Sequence, residues 1–143
     1  MKNTFQYLTF LGALPFVFCA ACFVFDVQAI PILGDTRDVL GIYALVITTF
    51  MAGSHWGQHL NFDNKWGNYL PVTSNVIAVL VWIGFLILPF KISLIIFEIA
   101  FLVLLWVDHR LRQNDLISFE YFRTRYLVTS IVTFTLLVSG IYA

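Results

Sequence analysis

From Tyr69 to Val107 the chain runs for about forty mostly apolar residues, interrupted at Pro89-Phe90-Lys91. One straight helix of that length would measure about 60 Å, twice the roughly 30 Å hydrocarbon core of a bilayer. The stretch must turn back on itself at Pro89 as two antiparallel membrane helices. Comparable apolar runs occupy about 5–25, 39–60 and 124–142 and join those at 69–88 and 92–107. Five crossings are expected, in an all-α integral membrane bundle forming a single domain over residues 1–143.

The composition points the same way. Only 11% of residues are charged, 60% are hydrophobic and mean hydropathy is +0.88, where soluble chains carry about 25% charged residues. Net charge is zero and no basic run is present, which argues against a nucleic-acid partner. The sequence has no Gly-x-Ser-x-Gly elbow, phosphate-cradling glycine loop or dinucleotide fingerprint, so soluble-type catalysis is not expected.

The first apolar run could be taken for a secretory signal, with Val27-Gln28-Ala29 as its cleavage site. It exceeds the usual core of roughly 7–15 residues and is read as a span loosened at Pro15. Cys19 and Cys22 lie inside it, away from any loop or helix N-terminus that would activate a thiol, and are expected to be buried apolar residues. Asp26 to Asp38 is a loop whose Gly34-Asp35-Thr36-Arg37-Asp38 run leads into an acidic helix start. Its aspartates are expected to be solvated.

With five crossings, Lys2, Lys65, Arg110, Arg112, Arg123 and Arg125 fall on one membrane side, and Arg37 and Lys91 on the other. The positive-inside rule then places the N-terminus in the cytoplasm and the C-terminus outside, across the cell (inner) membrane. The charged segment Asp108 to Arg125 carries Leu111, Leu116, Ile117, Phe119 and Phe122, and an interfacial helix lying along the membrane surface is expected there.

Chemistry concentrates where the second run ends, at Gly53-Ser54-His55-Trp56-Gly57-Gln58-His59. At 100° per residue, Gly53 and Gly57 share one smooth side, with Trp56 next to them. Such a side suits close helix packing in lipid and is a candidate homo-oligomer contact. His55 and His59 share the opposite stripe, continued by Thr48 and Ala52. Histidine facing acyl chains is costly, so this stripe is expected to face the bundle interior. The blander alternative makes both histidines interface markers and Trp56 a belt residue.

Glu98 is the only acid well inside an apolar run. Charged at mid-membrane it would cost about 2.5–3.5 kcal/mol, so it must be neutral, paired or wetted. Five crossings also bring the end of the second span, the end of the fourth and the start of the fifth to one face. His55, Trp56, Asp108, Tyr121 and Arg125 are expected to converge there with His59, His109 and Arg123, and Glu98 lies about 15 Å deeper.

Some of these residues carry a family likeness. Tyr43 followed by Gly53-Ser54-His55-Trp56-Gly57 resembles the Gly-x-His-Trp-Gly signature of a five-span family of bacterial and mitochondrial proteins related to transmembrane protein 69. Asp108 resembles that family's acid closing the fourth span. Tyr121 through Thr129 is similar to its Tyr-x-x-Leu-Arg-x-x-Leu-Thr pattern, with Thr124 and Val128 in place of the leucines. Asn75 stands where a proline is expected. The resemblance implies the five-span architecture and a site at these positions, and it implies no reaction.

Three functions compete on this basis. In the first, Asp108 and Arg125 pair, His55 donates to one of them, and the cluster pins helix ends beside a cleft for a partner or an amphiphile such as a quinone or lipid headgroup. In the second, His55 and His59, at a zinc-ligand spacing, bind metal or haem with Asp108 or His109 completing the set. In the third, Glu98 and the histidines relay protons in coupled transport. The first is expected, with the bilayer as the protein's environment and the cofactor left unidentified.

Overall fold

A computed structural model describes residues 2–143. Its five long helices are α1 (Lys2–Val24), α2 (Thr36–Gln58), α3 (Trp66–Ile87), α4 (Phe90–Gln113) and α5 (Phe119–Tyr142). The shortest has 22 residues, about 33 Å of helix, and each is long and apolar enough to cross a bilayer. The protein is an all-α, multi-pass membrane bundle.

Local chemistry sets the helix starts. The Asp35 carboxylate accepts from the Arg37 backbone N–H at 2.8 Å and caps α2, with Asp38 in its first turn. The Ser118 hydroxyl caps α5 by accepting from the Tyr121 N–H at 3.1 Å. Pro89 occupies the cap position of α4, where the chain reverses after α3. α1 passes through Pro15 as one helix. Between α1 and α2, β1 (Ala29–Ile30) pairs antiparallel with β2 (Gly34–Asp35) in a small hairpin.

α1 packs on α5, α5 on α4, α4 on α3 and α3 on α2, while α2 also touches α1 and α4. Phe16, Leu40, Ala44, Phe97, Phe101 and Leu104 fill the centre. Lipid is as apolar as these side chains, so association rests on packing and interhelical hydrogen bonds. The Phe16 ring meets Tyr43 and Phe101 edge-on, at 5.1 and 5.9 Å between centroids. The Tyr43 hydroxyl donates to the Gly12 carbonyl at 2.7 Å, tying α2 to α1.

One expectation is corrected. No separate interfacial helix forms over Asp108 to Arg125; α4 continues to Gln113 and α5 begins at Phe119. The reason is the buried stripe of α4, which runs on through Leu104, Val107, Asp108 and Leu111 at helical spacing. Leu116 and Ile117, in the connection, pack on the cluster formed by Trp66, Leu70, Val107 and Leu111.

The glycine side of α2 is open within the chain. Gly53 and Gly57 lie on the outer side of α2, where an added Cβ would meet nothing within 4 Å, so they pack against no other helix of this chain. The close approach is at Gly41, where a Cβ would fall 2.4 Å from the Phe85 ring of α3. Phe85 is itself held near Phe97. Gly41→Ala should destabilise the bundle by about 1–3 kcal/mol through overpacking. Gly53→Ala should be neutral or stabilising by roughly 0.5–1 kcal/mol, because alanine favours the helix. Thermal unfolding in detergent compares them, and a wild-type melt for Gly41→Ala would show that α2 and α3 do not meet there.

Candidate functional site

The alternating direction of the helices brings three polar side chains to one level. Asp108 stands five residues before the end of α4 and Arg125 six after the start of α5, about 8 and 9 Å from their adjoining ends. His55 lies three residues before the end of α2, at the same face of the bundle. All three are buried, with 2% of His55, 0% of Asp108 and 5% of Arg125 exposed.

Asp108 joins the other two. Its Oδ1 accepts from His55 Nε2 at 2.8 Å and its Oδ2 from Arg125 Nε at 3.0 Å. A carboxylate so enclosed is tolerable only when paired and hydrogen-bonded, and here both oxygens are engaged. With its hydrogen on Nε2, His55 keeps a bare lone pair at Nδ1, which is buried and has no partner among the described residues. Arg125 Nη1 reaches the Met51 sulfur. Its Nη2 has no hydrogen-bond partner among the described residues.

Arg125 also lines a cavity of about 310 Å³ between α1, α2 and α5, with Phe101 of α4 contributing to its wall. The lining is mostly apolar, including Leu8, Phe16, Ile47, Phe50 and Val132, while Ser54, Tyr121 and Arg125 supply polar groups. Leu8 and Phe50 are exposed on the bundle exterior, so the cavity borders lipid. The Tyr121 ring stacks on Phe5 with centroids 5.1 Å apart, and its oxygen accepts from Gln58 Nε2 at 3.2 Å. That leaves the phenolic hydrogen free to donate.

Other expected members stand apart. Trp56 is 45% exposed and meets the His59 ring edge-on at 4.8 Å; it is one helical step round from His55, on the glycine side, and so is outside the cluster. His59 belongs to a 3-10 turn, His59–Asn61, and its Nδ1 faces the Trp56 carbonyl. The tightened turn takes it out of the His55 stripe. Among the described residues, no group of three or more His, Cys, Asp or Glu side chains could hold a metal. His109 is exposed beside the Phe122 ring, and Arg123 is exposed. Glu98 is half-buried in the middle of α4, with Oε1 buried and unpartnered among the described residues.

The architecture and the cluster span the sequence from end to end, and so does a match to a family model, which covers residues 1–141 and is described as a protein of unknown function, DUF3429. The chain belongs to the DUF3429 family. Comparison with curated proteins and with solved structures found no match.

Two members of the site in this DUF3429 protein carry no motif in the sequence. Met51 and Gln58 flank His55 at four and three residues, on its side of the helix. The spacing was visible, but neither carries a charge or a motif to draw notice. The apolar cavity left no sequence signal.

Proposed function

We propose that this protein binds an amphiphilic small molecule within the bilayer, with the polar head at Arg125 and Tyr121 and the apolar body between α1, α2 and α5. The supporting observation is that Arg125 is locked by Asp108 and also lines an otherwise apolar cavity. Small-molecule sites are typically apolar pockets of about 300–1,000 Å³ with a few well-placed polar groups. The guanidinium fork is planar and rigid, so anchoring one edge on Asp108 orients the other. His55 completes the anchor by holding the second carboxylate oxygen.

In this proposal the His55 end of the bundle faces the cytoplasm of a cell whose inner membrane holds the protein, following the excess of basic residues at that end. A periplasmic reporter fused at the C-terminus should be active; an inactive one would reverse the orientation. The likeness to the family related to transmembrane protein 69 belongs to the same proposal, through the Gly53-to-Gly57 signature. The open Gly53/Gly57 side of α2 is where a second copy would pack. Failure of Gly53→Cys to form a disulfide dimer in membranes would remove that part.

The binding test uses purified protein in nanodiscs titrated with a short-tailed quinone and with twelve-carbon single-chain lipids, read by native mass spectrometry. One saturable molecule per chain is expected. No saturable binding by any of them would end the proposal.

A further inference from the structure

We infer that the head group taken by this cavity is a neutral hydrogen-bond acceptor, the carbonyl of a quinone or an ester, and not an anionic carboxylate or phosphate. The inference rests on the amphiphile-binding proposal above and narrows its ligand class.

Among the described residues lining the cavity, Arg125 is the only formally charged one, and an arginine there first invites an anion. Its charge is already matched. The Asp108 carboxylate lies 3.0 Å from Nε with no exposure to solvent. His55 takes the second carboxylate oxygen through Nε2, so both oxygens of Asp108 are engaged within the cluster. The Arg125 guanidinium is therefore matched, charge for charge, by Asp108.

A second carboxylate or a phosphate on Arg125 would leave two anions sharing one cation in a water-poor site. Uncompensated buried charge is strongly unfavourable. A neutral carbonyl meets no such obstacle. The site has spare donors on Arg125 Nη2 and the Tyr121 hydroxyl, and a carbonyl oxygen has two lone pairs to receive them. The remaining apolar wall suits a ring or an alkyl chain. A quinone and a fatty ester share this chemistry.

The test compares dodecanoic acid, its methyl ester and a decyl-tailed quinone on the wild-type protein in nanodiscs. At pH 8 the free carboxylic acid is ionised. The ester or the quinone should bind at least about tenfold more tightly than the acid, roughly 1.4 kcal/mol, and whichever binds tighter identifies the source of the carbonyl. Tyr121→Phe keeps the ring on Phe5 and should weaken the tighter neutral ligand by about 3- to 10-fold, the effect of one neutral hydrogen bond. Acid binding as tight as ester and quinone, or tighter, would overturn the inference and leave the amphiphile proposal standing. Unchanged binding to Tyr121→Phe would also overturn the inference. No binding by any of the three would remove both.

Discussion

Asp108→Ala is expected to lower the unfolding free energy in mild detergent by about 3–5 kcal/mol, among the largest losses a single substitution can cause here. The carboxylate accepts from His55 at 2.8 Å and from Arg125 at 3.0 Å. Its removal strands a buried guanidinium and a buried imidazole N–H together. The loss would come mainly from the partners left unpaired, and less from the attraction itself. Arg125→Gln should destabilise in the same direction, because it leaves the enclosed Asp108 charged with only His55 beside it. The double variant Asp108→Ala with Arg125→Gln should then cost less than the two single losses added, by about 1–3 kcal/mol, as expected for residues in direct contact. Chemical unfolding of the four proteins measures this coupling. Additive losses would mean that the pair is absent from the folded protein.

Gly12→Leu is expected to weaken amphiphile binding at least about tenfold, roughly 1.4 kcal/mol, while the melting temperature stays close to wild type. Gly12 lines the cavity, and a Cβ there would meet nothing nearer than the Tyr43 oxygen at 3.9 Å. A leucine side chain therefore has room and would occupy part of the 310 Å³ space. Leucine is also a better helix former than glycine, so α1 should tolerate it. The variant separates occupancy of the cavity from integrity of the bundle, which substitutions at Arg125 cannot do. Unchanged affinity with an unchanged melt would place the ligand elsewhere.

The packing features that the sequence did not label share a physical cause. Helical periodicity states which residues share a side, as with Gly53 and Gly57, but it does not state which neighbour that side meets. In a soluble protein, hydrophobicity would label the inward side. In a bilayer the exterior is as apolar as the core, so that label is lost. Gly41, set among apolar neighbours, gave no sign of its contact with Phe85. For the same reason the charged segment after Val107 looked like a surface helix, although Asp108 and Leu111 continue the buried stripe of α4. Trp56 is adjacent to His55 in sequence, yet one helical step turns it outward.

By itself the sequence determined the number of helices and the level at which polar residues meet. The bilayer has a set thickness, so run lengths and the break at Pro89 dictate five crossings. The alternation of successive crossings then brings the ends of α2 and α4 and the start of α5 to one face, where His55, Asp108 and Arg125 lie. The tertiary structure alone decided that Asp108 would take both partners, that the Phe85 ring would seat against Gly41, and that an apolar cavity would open beside Arg125. Those outcomes depend on the rotation and spacing of helices about one another, which side-chain packing sets and no single helix encodes.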